Sequence, residues 1–445
     1  MEYIRLWGGQ ALAGEVAISG AKNSALPILA ATLLCKGECL LHNCPRLTDI
    51  NWAIALLQHL GCRVCREGHD IWVDSKGLCR CDLPETLMKK MRSSVFFLGP
   101  LLARTGACDL CEPGGCCLGA RPIDLHLGGL AQMGAEIRQE EDRLSCRGAK
   151  LHGAAIVLPF PSVGATENLM MAALGADSPT TIYNAAKEPE IVDLADFLQS
   201  GGAKIHGAGT KLLQIEPGLP NGAEYRIMPD RMEAATYLAA AAAAGGHIVL
   251  RDAHKKDMLP VCDVLESAGC QIQSDCDIIE FTAKPLRGCK LVRTAPYPGF
   301  PTDAQAVIMA ALLRAEGLTV FEETVFASRF RHVPALRALG AQIETSGAIA
   351  VVSGVKTLSG TAMAATDLRG GAAMAVAALG AQGCSVITEI QHIQRGYEDF
   401  AQKLAGLGAR IQHITEDKLW RRKKEGGSRL AEEAAVPLIA AKNGQ

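Results

Sequence analysis

Six stretches of the chain carry apolar side chains on nearly every face of the helix that their composition predicts. Alanine, leucine, isoleucine, valine and methionine dominate these stretches, and the small side chains let neighbouring backbones approach closely. A helix that is apolar almost all round is buried rather than placed at a surface. We therefore predict six buried helices, over residues 21–34, 93–103, 165–174, 232–244, 303–313 and 368–379.

A second pattern marks the ends of six further helices. A glycine is followed by Ala or Cys, then by one variable residue, then by Ile or Val, as expected where a helix stops and a strand begins. Near-constant spacing over six copies is not expected from chance Gly-Ala pairs, so we infer an internal repeat. The glycines lie 67 to 73 residues apart, at Gly61, Gly134, Gly202, Gly269, Gly340 and Gly408.

Each repeat is predicted to run strand, buried helix, strand, exposed helix, strand, strand, which makes the chain an α/β protein. Six repeats divide naturally into two lobes of three, and 445 residues exceed one ordinary core. We place the boundary near Pro229 and Asp230, before the fourth buried helix. One lobe is then 21–229, the second is 1–20 with 230–415, and 416–445 is an extension. The second lobe includes 1–20 because a strand over 3–18 precedes the first helix.

Composition narrows the function classes. A net charge of −2 gives no support for a nucleic-acid or anionic-membrane partner, and no apolar run is long enough to span a bilayer. Seventeen cysteines and a start without a secretory signal favour a reduced, cytoplasmic protein. The pairs Cys62/Cys65 and Cys108/Cys111 suggest a zinc site, but they are far apart in sequence and each lies in a strand-like run. We therefore predict no metal.

Polar residues cluster where the buried helices begin. Because a helix start has unpaired N–H groups and a partial positive charge, it attracts anions. Lysine or arginine at such a start indicates a ligand that carries several negative charges. Ordinary helix capping explains Asp230 and Asp367 about as well. The residues at the starts are Lys22, Asn23, Arg92, Ser93, Ser94, Ser162–Glu167, Asp230, Arg231, Pro301–Asp303 and Thr366–Arg369, and loop cations follow at Arg121, Arg329, Arg331 and Arg395.

One loop combines glycines with chemically active side chains. Pro113, Gly114 and Gly115 cannot belong to the interior of a regular helix or strand, and Cys116 and Cys117 follow them directly. Mobile loops of this kind often act as lids or carry catalytic groups. Most cysteines are buried and serve only in packing. A catalytic cysteine must instead be exposed and have a thiol with a lowered pKa.

Several motifs resemble those of the enolpyruvyl transferase family, in particular the branch that acts on UDP-N-acetylglucosamine. The resemblance covers about residues 1–415 and rests on 19–27, 91–94, 113–126, 188–193, 300–303, 365–369 and 395–398. It implies an inside-out α/β barrel of two lobes, each with three repeats. It also implies transfer of the enolpyruvyl group of phosphoenolpyruvate to the sugar 3-hydroxyl, with release of phosphate, at the first committed step of peptidoglycan synthesis.

The resemblance also assigns roles to residues and implies no cofactor. Cys116 is the acid at the methylene carbon and the target of the epoxide fosfomycin, and Asp303 is the base for the hydroxyl. Asp367 and Arg369 match active-site positions. The implied contacts of phosphoenolpyruvate are Lys22, Asn23, Arg121 and Arg395. The implied contacts of the nucleotide-sugar are Arg92, Arg121, Pro122, Ile123, Asp124, Leu125, Ser162, Val163, Gly164 and Val325.

Two alternatives stay open at this point. The related transferase that uses shikimate 3-phosphate shares the fold and the enolpyruvyl donor, but it lacks the Pro-Gly-Gly-Cys loop. A non-catalytic relative that only binds a UDP-sugar has no need of both an acid and a base, whereas this chain has Cys116 and Asp303.

Overall fold

The computed structural model describes residues 2–111, 123–140, 143–326 and 328–415. The predicted alternation of strands and helices continues through all four ranges. The strands are β1 Glu2–Trp7, β2 Leu12–Ala17, β3 Cys39–His42, β4 Arg63–Glu67, β5 Asp70–Asp74, β6 Ala107–Cys111, β7 Glu136–Glu140, β8 Arg143–Arg147, β9 Ala155–Val157, β10 Thr180–Tyr183, β11 Ile205–His206, β12 Leu212–Ile215, β13 Glu224–Arg226, β14 Gly246–Arg251, β15 Gln271–Asp275, β16 Ile278–Thr282, β17 Val292–Arg293, β18 Leu318–Glu322, β19 Gln342–Ser346, β20 Ile349–Ser353, β21 Ala362–Ala364, β22 Cys384–Thr388 and β23 Arg410–Thr415.

The helices include all six that the apolar stretches predict. They are α1 Lys22–Ala31, α2 Thr48–His59, α3 Glu85–Met88, α4 Leu98–Thr105, α5 Asp124–Gln132, α6 Val163–Ala173, α7 Pro189–Ser200, α8 Arg231–Ala244, α9 Leu259–Ser267, α10 Thr302–Ala311, α11 Val333–Ala338, α12 Leu368–Leu379, α13 Gln391–Gln394 and α14 Phe400–Gly406. Short 3-10 helices span Thr32–Leu34, Arg92–Phe97, Lys255–Met258, Leu312–Arg314 and Arg329–His332.

The described strands form six small sheets, five of them mixed and the sheet of β6, β7 and β8 antiparallel. Their orders are β21-β22-β1-β23, β11-β12-β10-β9, β13-β3-β5-β4, β15-β16-β14-β2, β17-β18-β20-β19 and β6-β8-β7. In the sheets of β9–β12 and β17–β20 the chain runs strand, helix, strand, helix, strand, strand. Other sheets take a strand from a distant part of the chain: β13 pairs with β3, β2 pairs with β14, and β1 lies between β22 and β23.

All six glycines of the second sequence pattern follow a helix and precede a strand, as predicted. Each adopts a positive φ between 88° and 110°, a region that suits glycine because it has no side chain. The helices that they end are α2, α5, α7, α9, α11 and α14.

Buried side chains fall into two hydrophobic cores. The first core is built from residues 25–227, around α1, α4 and α6. The second core combines residues 4–18 with 232–411, around α8, α10 and α12. Helix α8 is buried along nearly its whole length, and Ala239–Ala242 let α10 and α12 pack closely against it.

The chain passes between the two cores at two adjacent places. Gly20 and Pro229 form an isolated β-bridge, and the Ala21 amide donates to the Met228 carbonyl at 2.7 Å. A Cβ atom on Gly20 would lie 1.7 Å from the Asn43 carbonyl oxygen, so only glycine fits there. The two connections therefore run side by side.

The N-terminal segment differs from the single strand predicted over residues 3–18. It forms two strands in two different sheets, β1 and β2, separated at Gly8 and Gly9. A Cβ atom on Gly8 would lie 2.2 Å from the Ala378 carbonyl oxygen, and Gly9 has a φ of 86°. The close approach and the turn explain why the strand is interrupted.

Candidate active site

The described residues enclose a cavity of about 570 Å³ between the two cores. Its volume lies within the range of small-molecule sites. Residues from the starts of all six buried helices line it, so the polar helix starts converge on one cavity. Among the described residues no helix is long and apolar enough to cross a membrane, and no group of three or more His, Cys, Asp and Glu could hold a metal ion.

Two cations of the cavity share one carboxylate. Asp49, in the first turn of α2, accepts from Lys22 Nζ at 2.6 Å and from Arg395 Nε at 2.8 Å. The Arg395 guanidinium also lies over the Trp52 ring, 5.7 Å from its centroid. Burial lowers the pKa of Lys22, and the charge of Asp49 opposes this shift. The arrangement holds two positive charges together, as needed to bind a phosphate or a carboxylate.

Asp303 lies at the start of α10, held by two guanidinium groups. Arg329 Nη2 donates to Asp303 Oδ1 at 2.8 Å, and Arg369 Nη2 donates to Oδ2 at 3.2 Å. Arg329 and Arg369 are buried, whereas the Asp303 side chain is 30% exposed. The carboxylate is thus fixed in orientation and still accessible from the cavity, as a proton acceptor must be.

Asp230 and Asp367 both cap helices, which was one of the two explanations open for each. Asp367 Oδ1 accepts from the amides of Arg369 and Gly370, and Asp230 Oδ1 accepts from the amides of Met232 and Glu233. Asp230 Oδ2 also accepts from the Lys22 amide at 3.3 Å, so it joins the starts of α8 and α1.

Arg369 also contacts a buried tyrosine, Tyr397. Arg369 Nη1 donates to the Tyr397 hydroxyl at 3.1 Å, and the same hydroxyl shares a hydrogen bond of 2.9 Å with Thr236. Burial alone would lower the pKa of Arg369, but the Tyr397 hydroxyl and the carboxylates of Asp303 and Asp230 outweigh it, and the pKa is raised above its ordinary value. Arg369 therefore stays charged beside Asp303.

Three glutamates and an arginine form another wall of the cavity. Glu190 receives two hydrogen bonds from Arg231, at 2.9 and 3.1 Å, and Arg231 lies over the Tyr297 ring. Glu188 accepts from the Tyr297 amide at 3.4 Å. Glu167 is fully buried in α6, and neither carboxyl oxygen has a hydrogen-bond partner in the part of the chain that the structure describes.

The start of α6 lies against His126. Ser162 caps the helix through the Ala165 amide, and a Cβ atom on Gly164 would lie 3.1 Å from His126 Cε1. His126 Nδ1 shares a hydrogen bond of 2.9 Å with Asn168 Nδ2. Burial, with a smaller contribution from the Arg92 charge, lowers the pKa of His126 to about 4, so the ring is neutral near pH 7.

The structure brings most of the sequence-predicted site residues together. The predicted residues that line the cavity are Lys22, Asn23, Arg92, Ser162, Val163, Gly164, Asp303, Val325, Asp367, Arg369 and Arg395. Ile123, Asp124 and Leu125 lie at the start of α5, outside the described lining. Cys116, Arg121 and Pro122 lie outside the described residues.

Sequence reasoning missed several residues of the site. Asp49 follows Thr48 at an ordinary helix start, and nothing local marks it as the partner of two cations. Trp52 contacts Arg395, and Tyr397 contacts Arg369. An aromatic residue alone does not indicate a contact with an active-site arginine. Glu167 was not missed, because it falls within Ser162–Glu167, a range predicted at the start of a buried helix.

Comparisons with known proteins identify the family of the chain. The family described as EPSP synthase (3-phosphoshikimate 1-carboxyvinyltransferase) matches residues 6–404. UDP-N-acetylglucosamine 1-carboxyvinyltransferase 2 of Caldanaerobacter subterraneus subsp. tengcongensis is 45% identical over 417 residues, which cover 93% of this chain and all of the relative. The UDP-N-acetylglucosamine 1-carboxyvinyltransferase of Granulibacter bethesdensis is 47% identical, with the same coverage. This chain belongs to the UDP-N-acetylglucosamine 1-carboxyvinyltransferase family.

Solved structures of other enolpyruvyl transferases share the fold of this carboxyvinyltransferase chain. The enolpyruvyl transferase NikO from Streptomyces tendae superposes with a TM-score of 0.84 at 24% identity, over 94% of this chain and 99% of that one. EPSP synthase from Acinetobacter baumannii superposes with a TM-score of 0.73 at 17% identity, over 93% and 100% of the two chains. At these identities the likeness concerns the fold alone.

Proposed function

We propose that the chain transfers the enolpyruvyl group of phosphoenolpyruvate to the 3-hydroxyl of UDP-N-acetylglucosamine, with release of phosphate. This is the first committed step of peptidoglycan synthesis. Relatives that carry this enzyme name and are 45% and 47% identical over their whole length support the reaction. The observation that supports this reaction at the site is a partly exposed carboxylate, Asp303, in the same cavity as the Lys22–Asp49–Arg395 cluster.

Residue roles follow from the bonds that change. The sugar oxygen forms a bond to the enol carbon, and the bond from that carbon to the phosphate oxygen breaks. Asp303 accepts the hydroxyl proton, with Arg329 and Arg369 fixing its orientation. Cys116 donates a proton to the methylene carbon, and the resulting methyl group gives a proton back to Cys116 when phosphate leaves. The hydroxyl proton is released with the phosphate, so the overall reaction balances.

Cations and helix starts hold the two substrates. Lys22, Asn23, Arg121 and Arg395 bind the phosphate and carboxylate of phosphoenolpyruvate, and for Lys22 and Arg395 the shared contact with Asp49 supports this role. Asp367 and Arg369 belong to the active site beside Asp303. The nucleotide-sugar contacts Arg92, Arg121, Pro122, Ile123, Asp124, Leu125, Ser162, Val163, Gly164 and Val325.

The finer architecture is part of the same proposal. We assign an inside-out α/β barrel of two lobes with three repeats each, divided as 21–229 and as 1–20 with 230–415, followed by an extension over 416–445. Two separate hydrophobic cores support the division. The fifteen described cysteines are free thiols, which supports a reducing, cytoplasmic location.

Phosphate release from phosphoenolpyruvate tests the proposed reaction. We expect release that depends on UDP-N-acetylglucosamine and not on shikimate 3-phosphate. Replacing the base or the acid, in Asp303→Asn or Cys116→Ser, should lower kcat by at least about 100-fold, since general acid–base steps contribute about 10²–10⁴-fold. Asp109→Asn, which changes an exposed carboxylate paired with Arg147, is the matched control. Parent protein that binds the nucleotide-sugar without releasing phosphate would contradict the proposal.

A further inference from the structure

Glu398 joins the two cores through a buried carboxylate. It belongs to the second-core part of the chain and is 5% exposed. The Arg46 amide donates to Glu398 Oε2 at 3.0 Å, the Arg46 side chain donates to Oε1, and His69 Nε2 lies 2.8 Å from the same Oε1. Arg46 Nη2 also donates to Asp399 at 2.7 Å. Both Arg46 and His69 lie within residues 25–227, the range of the first core.

The residues just before Glu398 reach the candidate active site. Arg395 contacts Asp49 of the first-core part of the chain. Tyr397 contacts Arg369, which in turn contacts Asp303 within the second-core part. Residues 395–399, here called the bridging segment, are therefore bound to both cores and to both charged clusters of the cavity.

Charge strengthens the contact between Glu398 and the first-core residues. Burial alone raises the pKa of a carboxyl group, but the hydrogen bonds from Arg46 and His69 outweigh that effect and hold the pKa of Glu398 below its ordinary value. Glu398 is therefore ionised near neutral pH and forms an ion pair with Arg46.

We propose that Glu398 is a positioning residue: through Arg46 and His69 it holds the bridging segment across the two cores and so keeps Arg395 on Asp49, ready for an anionic substrate. The proposal rests on the proposed function for the identity of that substrate, phosphoenolpyruvate. Glu398 acts through Arg395 and does not line the described part of the cavity. Its loss is therefore expected to affect capture of the anion more than the chemical step.

Steady-state kinetics of Glu398→Gln and Arg46→Ala test the proposal. We expect each variant to raise KM for phosphoenolpyruvate about tenfold, with kcat and KM for the nucleotide-sugar changed by less than about twofold, because a displaced Arg395 weakens anion binding. Because both changes break the same contact, the double variant should show an effect clearly smaller than the product of the two single effects. Arg46 is 52% exposed, so Arg46→Ala tests the proposal even if Glu398→Gln does not fold.

A matched ion pair supplies the control. Arg293 and Glu322 join β17 to β18 at 2.7 Å with similar exposure of the arginine, 59%, and both belong to the second-core part of the chain. Arg293→Ala should leave KM for phosphoenolpyruvate unchanged. An unchanged KM in Arg46→Ala, or an equal change in Arg293→Ala, would overturn the positioning role while the proposed function stands. If the parent lacks turnover, calorimetric titration of phosphoenolpyruvate into parent and variants decides the role separately.

Discussion

Glu167 is an unusual residue to find in the second turn of a buried helix. It is fully buried, and repulsion from Glu190 and Glu188 adds to the cost of charging it. Burial, with that repulsion, raises the pKa of Glu167 well above its ordinary value. Two other titratable groups lie near this helix: His126 of α5 contacts Asn168 of α6, and Arg92 lies in the 3-10 helix that packs against α6. The side chain therefore keeps its proton in the folded protein at pH values where the unfolded chain has lost it.

Glu167→Gln should remove a pH dependence of stability. In the parent the folded state binds one more proton than the unfolded state above about pH 4.3, so its stability falls as the pH rises towards the raised pKa, by up to about 1.4 kcal/mol per pH unit. The melting temperature of the parent should therefore fall relative to that of the variant between pH 5 and pH 8. Glu344→Gln, at an exposed position, is the control. Parallel curves for parent and Glu167→Gln would show that Glu167 is ionised in the fold.

Asp49 controls the charge of a lysine that the proposed reaction requires. Burial lowers the pKa of Lys22, and Asp49 provides the largest opposing effect. In Asp49→Asn the pKa of Lys22 should fall further, so Lys22 loses its proton at a lower pH. We expect kcat/KM for phosphoenolpyruvate to fall about 10–100-fold near pH 7 and the basic limb of its pH profile to move to lower pH.

The conservative variant separates charge from shape in that experiment. Asp49→Glu keeps the negative charge and should leave the basic limb close to that of the parent, even if the rate falls. Asp109→Asn, outside the cavity, should change neither quantity. A basic limb that stays in place in Asp49→Asn would mean that the limb reports a group other than Lys22.

The sequence predicted the residues at the helix starts better than the residues that hold them. Lys22 and Arg369 stand out because the helix dipole disfavours a cation at the start of a helix, and Asp303 stands out through its match to the family motif. Asp49 and Glu398 act through contacts with residues that lie 346 and 352 positions away, and Tyr397 contacts Thr236, 161 positions away. Nothing in their local sequence specifies these partners. The geometry of the site is therefore a product of tertiary packing.

Among the elements, α8 shows how the interior is filled with so few aromatic residues. Its alanines are buried on all sides, and α10 and α12 pack directly on them. The helix is consequently held by close backbone contact rather than by large side chains, which leaves little room for added volume.

Ala240→Leu should therefore destabilise the protein by about 1–3 kcal/mol, since three extra carbon atoms must displace the neighbouring helices. We expect a melting temperature lower by about 2–6 °C. Ala131→Leu places the same side chain at an exposed position of α5 and should have little effect. Equal melting temperatures for the two variants would show that the helices around α8 have space to move.

Local sequence patterns predicted the helices and strands, but they did not predict which strands pair with β1, β2 and β13. The glycine-terminated helices and the apolar helices follow from short-range preferences, so both series were found. The partners of β1, β2 and β13 were not, because register and neighbour in a sheet depend on residues far along the chain. The interruption at Gly8 likewise depends on the approach of Ala378.

At the scale of the whole molecule, the described residues form two cores joined by two neighbouring connections, by the Asp49 cluster and by the bridging segment. The two connections, at Gly20 and at Pro229, run side by side. Asp230 caps α8 at this place and also accepts a hydrogen bond from the Lys22 amide. The Lys22–Asp49–Arg395 cluster, at the cavity, and the contacts of Glu398 with Arg46 and His69 join the two cores as well.

The position of β1 between β22 and β23 also has a consequence for biosynthesis. On the ribosome, β1 is made about four hundred residues before β23, which at about 5–20 residues per second is an interval of about 20–80 s. Residues 25–227 can complete their core during that time, whereas Ile4 and Leu6 have no sheet to enter. The speed of translation thus sets how long an apolar strand stays unpaired in the nascent chain and available to chaperones.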